Sequence, residues 1–313
     1  MATEWTTLDV STPTRLDQLL ARRWNALDHE QIRTLILEDA VLVNGEPARK
    51  LGQRLDAGDT VRIRLPELSS AEAYRLPIGL SLPVLYEDDE VLVVDKPAGV
   101  AVRRSGAGPE IRDEATVPQI LAARYPDRAH VGGVNRAGVV TTLDEEASGL
   151  LLVGKTEAAY RALRRLIKRQ YEHEVYTVLV EGHLRDEITV DQPIGNVKRT
   201  RRRLAVAREG RPAQTYVRPQ QHYIESGRDY TLLYVRPETS RMHQIRVHLA
   251  WLGLPVVGDQ LYGSRRQPML PDRLFLHLSQ LRFMHSVTQE EIVVESPLPT
   301  ELHSVLTYMR RPK

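Results

Sequence analysis

Several stretches of this chain hold residues able to do chemistry. Gly149-Leu150-Leu151-Leu152-Val153-Gly154-Lys155-Thr156 matches, letter for letter, the phosphate-cradling loop of nucleotide hydrolases. In such a loop the residues between the glycines curl so that successive N–H groups face phosphates. Leu-Leu-Leu-Val is instead an apolar run suited to a buried strand, which cannot wrap an anion. The apolar strand ending in a magnesium-ligating Asp, which ought to follow, lies upstream at Asp95. Nucleotide hydrolysis is therefore set aside. Just ahead of the run, Asp144 stands in a polar turn before Ser148-Gly149; taken alone, an Asp there is a solvated turn residue. His243 and His248 flank Arg246 on what reads as an alternating strand over residues 244–248, on which they point to opposite faces and do not form a metal site. Lys198, Arg199, Arg201, Arg202 and Arg203, with Arg208 and Arg211, make the densest basic run, suited to a phosphate backbone.

Composition narrows the classes. The 313 residues include no cysteine, which excludes disulfides, thiolate nucleophiles and cysteine-ligated zinc and fits a reducing compartment, the cytoplasm by default. A formal charge of +2, from 43 Lys+Arg against 41 Asp+Glu, does not announce a polyanion partner, so the local distribution of charge matters more than its sum. The first residues lack the basic start and apolar stretch of a signal peptide, and no apolar run reaches membrane-spanning length; a soluble protein is expected.

The elements that must position these residues are visible in the periodicity. Leu16, Leu19, Leu20 and Trp24 recur at helical spacing, and a second helix starting near Asp28 carries Ile32, Leu35 and Ile36 on one face. Val41-Leu42-Val43 then runs into Asn44-Gly45, a tight-turn dipeptide, and Val61-Arg62-Ile63-Arg64-Leu65 alternates as a strand. Residues 67–80 read as a linker. Residues 84–95 read as two strands around a turn at Glu87-Asp88-Asp89, residues 157–169 as an amphipathic helix, and residues 176–182 as a strand; strands dominate the rest.

Two helices followed by a basic β-turn segment, with Leu42-Val43-Asn44-Gly45 and Ala57-Gly58-Asp59-Thr60-Val61 as landmarks, resemble the alpha-L RNA-binding domain of a small-subunit ribosomal protein. Further on, Leu143-Asp144…Ser148-Gly149-Leu150-Leu151-Leu152…Lys155-Thr156, Tyr176, Gln192-Pro193-Ile194-Gly195, Gly210-Arg211-Pro212-Ala213, Arg241-Met242-His243-Gln244-Ile245-Arg246-Val247-His248, Gly258-Asp259 and Leu276-His277 follow the order of motifs in RluA-like RNA pseudouridine synthases. The resemblance implies an α+β chain: an RNA-binding domain over residues 13–66, the linker, and over residues 81–313 a synthase fold with a mixed, mainly antiparallel sheet. It also implies a cofactor-free, metal-free isomerisation of uridine in structured RNA, ribosomal more than transfer RNA, by a chain acting as a monomer.

By the same resemblance Asp144 is the nucleophile, Arg246 its partner, Tyr176 the ring against the base, and Leu276 an apolar wall of the pocket. A carboxylate suits the reaction because it can attack or abstract a proton and leave again. A guanidinium nearby favours its charged form and offers a two-pronged hydrogen bond that lysine cannot. Contacts to RNA are expected from Arg15, Arg33, Arg49, Lys50 and Arg241 as well as the run at residues 198–203. This chain departs from the family pattern at Thr141-Thr142, where His-Arg is usual, at Glu174, where lysine is usual, and at Ser240, where glycine is usual. Two threonines cannot supply the cation associated with displacing the base. A second reading stays open on that account: an RNA-binding or ribosome-assembly factor on the same fold that has lost efficient catalysis.

Overall fold

The computed structural model describes residues 5–23, 29–64, 82–102, 115–133, 136–169, 174–196, 203–263, 270 and 273–310. They fall into two compact units, Met1–Ile78 with Arg103–Gly138 and Gly79–Val102 with Val139–Lys313.

The first unit contains β1 (Thr6–Asp9), β2 (Thr14–Arg15), α1 (Leu16–Arg23), α2 (His29–Leu37), β3 (Val41–Val43), β4 (Glu46–Pro47), β5 (Arg54–Leu55), β6 (Thr60–Ile63) and, from its second segment, α3 (Val117–Arg124). An antiparallel sheet in the order β1-β6-β3-β4 is joined by the small β2-β5 pair. The apolar stripes read from the sequence meet in one core of Leu16, Leu20, Ile32, Ile36, Val41 and Ile63. The β3-β4 turn is the Asn44-Gly45 dipeptide, with both residues at positive φ. Asn44 also donates to Asp59 and accepts from the Thr60 amide, each at 2.8 Å, so one turn is latched to the next strand. Trp24 and Asp28 lie outside the described residues, as does the linker at residues 67–80.

The second unit is built on a nine-stranded sheet. Its elements are β7 (Val84–Glu87), β8 (Val91–Lys96), β9 (Ser148–Gly154), α4 (Glu157–Arg169), β10 (Glu174–Glu181), β11 (Ile188–Asp191), β12 (Ile194–Asn196), β13 (Leu204–Val206), β14 (Gln214–Glu225), β15 (Arg228–Pro237), α5 (Gln244–Trp251), β16 (Leu276–Met284), β17 (Glu291–Glu295) and α6 (Thr300–Tyr308). The sheet runs β11-β14-β15-β10-β16-β9-β8-β7, with β17 on β16, and among the described strands only β9 and β16 pair in parallel. This is the α+β, mixed and mainly antiparallel architecture expected. The segment that imitates a phosphate loop is β9, buried at every residue between β8 and β16, so its N–H groups are spent on the sheet and, at Leu152, on the Thr141 hydroxyl.

One element differs from the sequence reading. Residues 244–248 form not a strand but the first turns of α5. His243, at φ 54°, turns the chain, and the Val247 amide donates back to the His243 carbonyl at 2.9 Å. Gln244 through Leu249 are all buried, so this helix shows no polar face. Without one, a short run that alternates in letters reads as a strand.

Candidate active site

Asp144 lies in the loop that enters β9, and that loop is fastened from beneath. Lys96, the last residue of β8, is completely buried. Its Nζ donates to the carbonyls of Pro97 at 2.9 Å, Val100 at 2.9 Å, Glu145 at 3.1 Å and Ala147 at 2.6 Å. Burial pulls its ammonium down to about 7, and nearby Arg273 adds to this, against the opposing pull of Asp144, Glu145 and Glu146. Arg273 donates to the Glu146 carbonyl at 3.1 Å and to Ser148 Oγ at 2.7 Å, and that hydroxyl lies 2.9 Å from Nδ1 of buried His277 on β16. Gly149 follows at φ 121°; a Cβ there would lie 2.3 Å from the Leu278 carbonyl oxygen. Buried Thr141 accepts the Leu152 amide at 2.9 Å, which ties the loop's other end to β9, whereas Thr142 is exposed.

Arg246 projects from α5 with only 2% of its side chain exposed. Its two-pronged bond goes to Asp259, Nε to Oδ2 at 2.8 Å and Nη2 to Oδ1 at 2.9 Å, and not to Asp144 as expected. The remaining Nη1 reaches Asp144 Oδ2 at 3.1 Å and Glu146 Oε2 at 3.4 Å. The physical reason is burial. Asp259 is fully enclosed and also accepts the Leu261 and Tyr262 amides at 2.9 Å each, so it needs the full fork, while Asp144 remains 20% exposed. Burial works to raise the Asp259 carboxyl, but the hydrogen bonds and charge of Arg246 bring it below the ordinary carboxylate range. Arg246 is correspondingly held more firmly protonated than a free guanidinium.

Aromatic rings complete the centre. Tyr262 lies over the Arg246 guanidinium, 5.4 Å from ring centroid to Cζ, and Arg203 lies over the same ring at 5.6 Å. Tyr176 is buried on β10, and its hydroxyl donates to Glu174 Oε2 at 2.9 Å. Burial pushes the Tyr176 phenol well above its usual range, with the charges of Glu174 and Asp144 adding to the push. The Glu174 carboxyl is itself raised by burial, partly offset by the tyrosine's bond. Leu276 opens β16 opposite Val178, buried in the same apolar cluster as Tyr176.

His248 and His243 hold separate partners. His248 sits 2.9 Å from both Thr215 Oγ1 and the Gln192 carbonyl, and His243 Nδ1 sits 3.0 Å from the Tyr262 hydroxyl.

The cations expected to meet RNA are distributed unevenly. Arg33, Arg49 and Lys50 are exposed on the first unit, whereas Arg15 spends its guanidinium on buried Asp17, at 3.1 and 2.8 Å. Lys198, Arg199, Arg201 and Arg202 lie outside the described residues; Arg203, Arg208 and Arg211 are exposed. Arg241, just ahead of α5, donates to the Ser240 carbonyl at 2.8 Å.

Comparison with known proteins decides the family. A model of the RNA pseudouridylate synthases matches residues 90–251 and a model of the S4 domain matches residues 14–61. The chain belongs to the RNA pseudouridine synthases. This synthase is 33% identical over 298 residues to the uncharacterized RNA pseudouridine synthase YlyB of Bacillus subtilis, covering 95% of this chain and 94% of that one. It is 33% identical over 308 residues to the ribosomal large subunit pseudouridine synthase D of Escherichia coli K12, covering 95% and 90%. Its fold resembles that of human RNA pseudouridylate synthase domain containing 1, with a TM-score of 0.59 and 26% identity over 72% of this chain and 87% of that one.

Sequence reasoning missed Lys96, Arg273 and the structural commitment of Asp259 in this synthase. Lys96 carried one usable signal, a lysine ending an apolar strand immediately before Pro97-Ala98-Gly99, where burial of a cation demands acceptors.

Proposed function

We propose that this synthase isomerises uridines of large-subunit ribosomal RNA, with Asp144 as nucleophile. Attack by the carboxylate at C1′ of the sugar breaks its bond to uracil N1, the turned base rejoins through C5 as the carboxylate departs, and C5 gives up its proton while N1 takes one; no cofactor or metal takes part. Arg246 keeps Asp144 oriented, Tyr176 receives the everted base, and Leu276 walls the apolar side of the pocket. Eversion costs a few kcal/mol, and stacking on an aromatic ring returns about 1–3 kcal/mol. In this reading residues 13–66 grip folded RNA with Arg33, Arg49 and Lys50 while residues 81–313 carry the chemistry. The basic run of Lys198, Arg199, Arg201, Arg202 and Arg203, with Arg241, binds the RNA backbone. The protein acts as a monomer in the cytoplasm.

The observation that carries the assignment is the division of labour around Arg246. Of the aspartates it touches, Asp259 is fully buried and committed, while Asp144 keeps a single bond and access to solvent. A carboxylate that is held yet reachable is what attack on a bound nucleoside needs. The ribosomal target is supported by the names of the Escherichia coli and Vibrio parahaemolyticus relatives, both ribosomal large subunit synthases.

The test is to incubate purified protein with unmodified large-subunit RNA and map pseudouridine chemically. Wild type forms product at discrete sites and Asp144→Ala forms none while still binding RNA. Product from Asp144→Ala removes the nucleophile; binding without product by wild type leaves the RNA-binding factor instead.

A further inference from the structure

Far from Asp144, the end of β10 and the β14-β15 hairpin bring another set of donors together. His183 lies two residues beyond the end of β10, His222 lies on β14 and Asp229 on β15. One ligand atom from each lies within 4.8 Å of the other two. His222 Nε2 is 2.8 Å from Asp229 Oδ1, and the imidazoles of His183 and His222 meet edge to face with centroids 3.9 Å apart. The strand register explains the juxtaposition. His222 pairs with Thr231 and Ile224 with Asp229, so His222 and Asp229 are diagonal neighbours on one face of the sheet.

The backbone that presents these groups is fixed. The Gly182 amide donates to the Asp229 carbonyl at 2.7 Å, Thr231 Oγ1 donates to the Gly182 carbonyl at 2.8 Å, and the Leu184 amide donates to the same hydroxyl at 3.1 Å. His183 is thus pinned on both sides to the strand that carries Asp229. Gly182 is six residues beyond Tyr176, roughly 20 Å along an extended strand. The cluster is therefore separate from the catalytic centre.

We propose that His183, His222 and Asp229 bind a divalent transition metal of the zinc class. Two imidazoles and a carboxylate suit zinc, with the remaining tetrahedral position open to water. Tetrahedral ligands at about 2.0–2.1 Å from zinc stand roughly 3.3 Å apart, so side-chain adjustments of about 1–2 Å close the set. The ion replaces the His222–Asp229 hydrogen bond and joins the ends of β10, β14 and β15. Magnesium and calcium, which demand more oxygen ligands, do not compete.

The test is competition for Zn2+ between the full-length protein, stripped of metal, and a colorimetric chelator. Wild type is expected to bind one equivalent. Affinity falls by at least roughly ten-fold in His183→Ala, in His222→Ala and in Asp229→Asn, and is unchanged in His303→Ala, an exposed histidine on α6. Excess Zn2+ raises the melting temperature of wild type and of His303→Ala but not of His222→Ala, since an ion that binds only the folded state stabilises it. Circular dichroism and uridine isomerisation without added metal report that the variants are folded. No binding by folded wild type, or equal binding by the His183→Ala/His222→Ala double variant, overturns the proposal.

Discussion

Arg246 and the arginines of the first unit put the same side chain to opposite uses. Arg246 is enclosed and met by the carboxylates of Asp259, Asp144 and Glu146. Arg33, with Arg49 and Lys50, stands exposed. A buried, hydrogen-bonded charge holds geometry and feels little of the surrounding salt, while exposed charges are screened beyond about 8 Å at physiological ionic strength. In this synthase the chemistry should therefore be fixed by a few enclosed charges, and the grip on RNA by many open ones.

The strongest way to break that contrast is to strand the guanidinium. Asp259→Ala leaves a buried cation without its main partner, and urea unfolding should show a loss of about 3–5 kcal/mol together with loss of turnover. Arg246→Lys should forfeit most of the turnover and part of the stability, because one ammonium cannot serve both Asp259 and Asp144 in the present geometry. Near-normal rates and an unchanged midpoint in that variant would show that the network is not the organiser we describe. At Tyr176 the loss should divide by atom. Tyr176→Phe keeps the stacking face and should lose less activity than Tyr176→Ala, and the gap between them reads out about 1–3 kcal/mol of stacking. Equal losses would move the ring away from the base.

The exposed side is sharpened with salt. Replacing Arg33, Arg49 and Lys50 together by Gln should weaken RNA binding and flatten the plot of log affinity against log salt, by about 0.7–0.9 for each phosphate no longer neutralised. The turnover number at saturating RNA should hold. An unaltered slope would return these residues to the status of solvated surface. The smallest effect is expected at Glu174. Its carboxyl titrates higher in the folded protein than unfolded, so as pH rises past the ordinary carboxylate range the unfolded chain releases a proton that the folded one keeps. The contribution of Glu174 to stability should fall through that window. Melting curves of Glu174→Gln should gain on wild type as pH rises, and parallel curves would exclude the burial described for Glu174.

Where one residue's pattern was enough, the sequence was a good guide. The helix at residues 157–169 coincides with α4 because its apolar positions recur at 3.6-residue spacing beside a polar face. The Leu-Leu-Leu-Val run yielded β9 because an unbroken apolar stretch of that length is a core strand. The same logic failed at α5, where burial of every residue from Gln244 through Leu249 erases the period. Asp144 and Arg246 do meet, and Tyr176 lies near enough to feel the charge of Asp144, but the roles of all three were drawn from the resemblance. No local pattern links an aspartate to an arginine 102 residues away. Nor could spacing reveal which carboxylate takes the fork of Arg246, since that turns on which one is shut away from water. Lys96 was passed over for a related reason: lysine is read as surface by default, the apolar strand it ends is the one contrary sign, and the carbonyls around its Nζ make its burial plain.

The backbone at Gly149 sets a limit on how this protein can change. Any methyl group there would collide with the Leu278 carbonyl in a conformation that already disfavours side chains. Even alanine must pry β9 from β16, and since Asp144 is only five residues upstream, the displacement is delivered to the proposed nucleophile. Evolution can thus adjust the surfaces that choose an RNA freely, while this hydrogen atom stays irreplaceable.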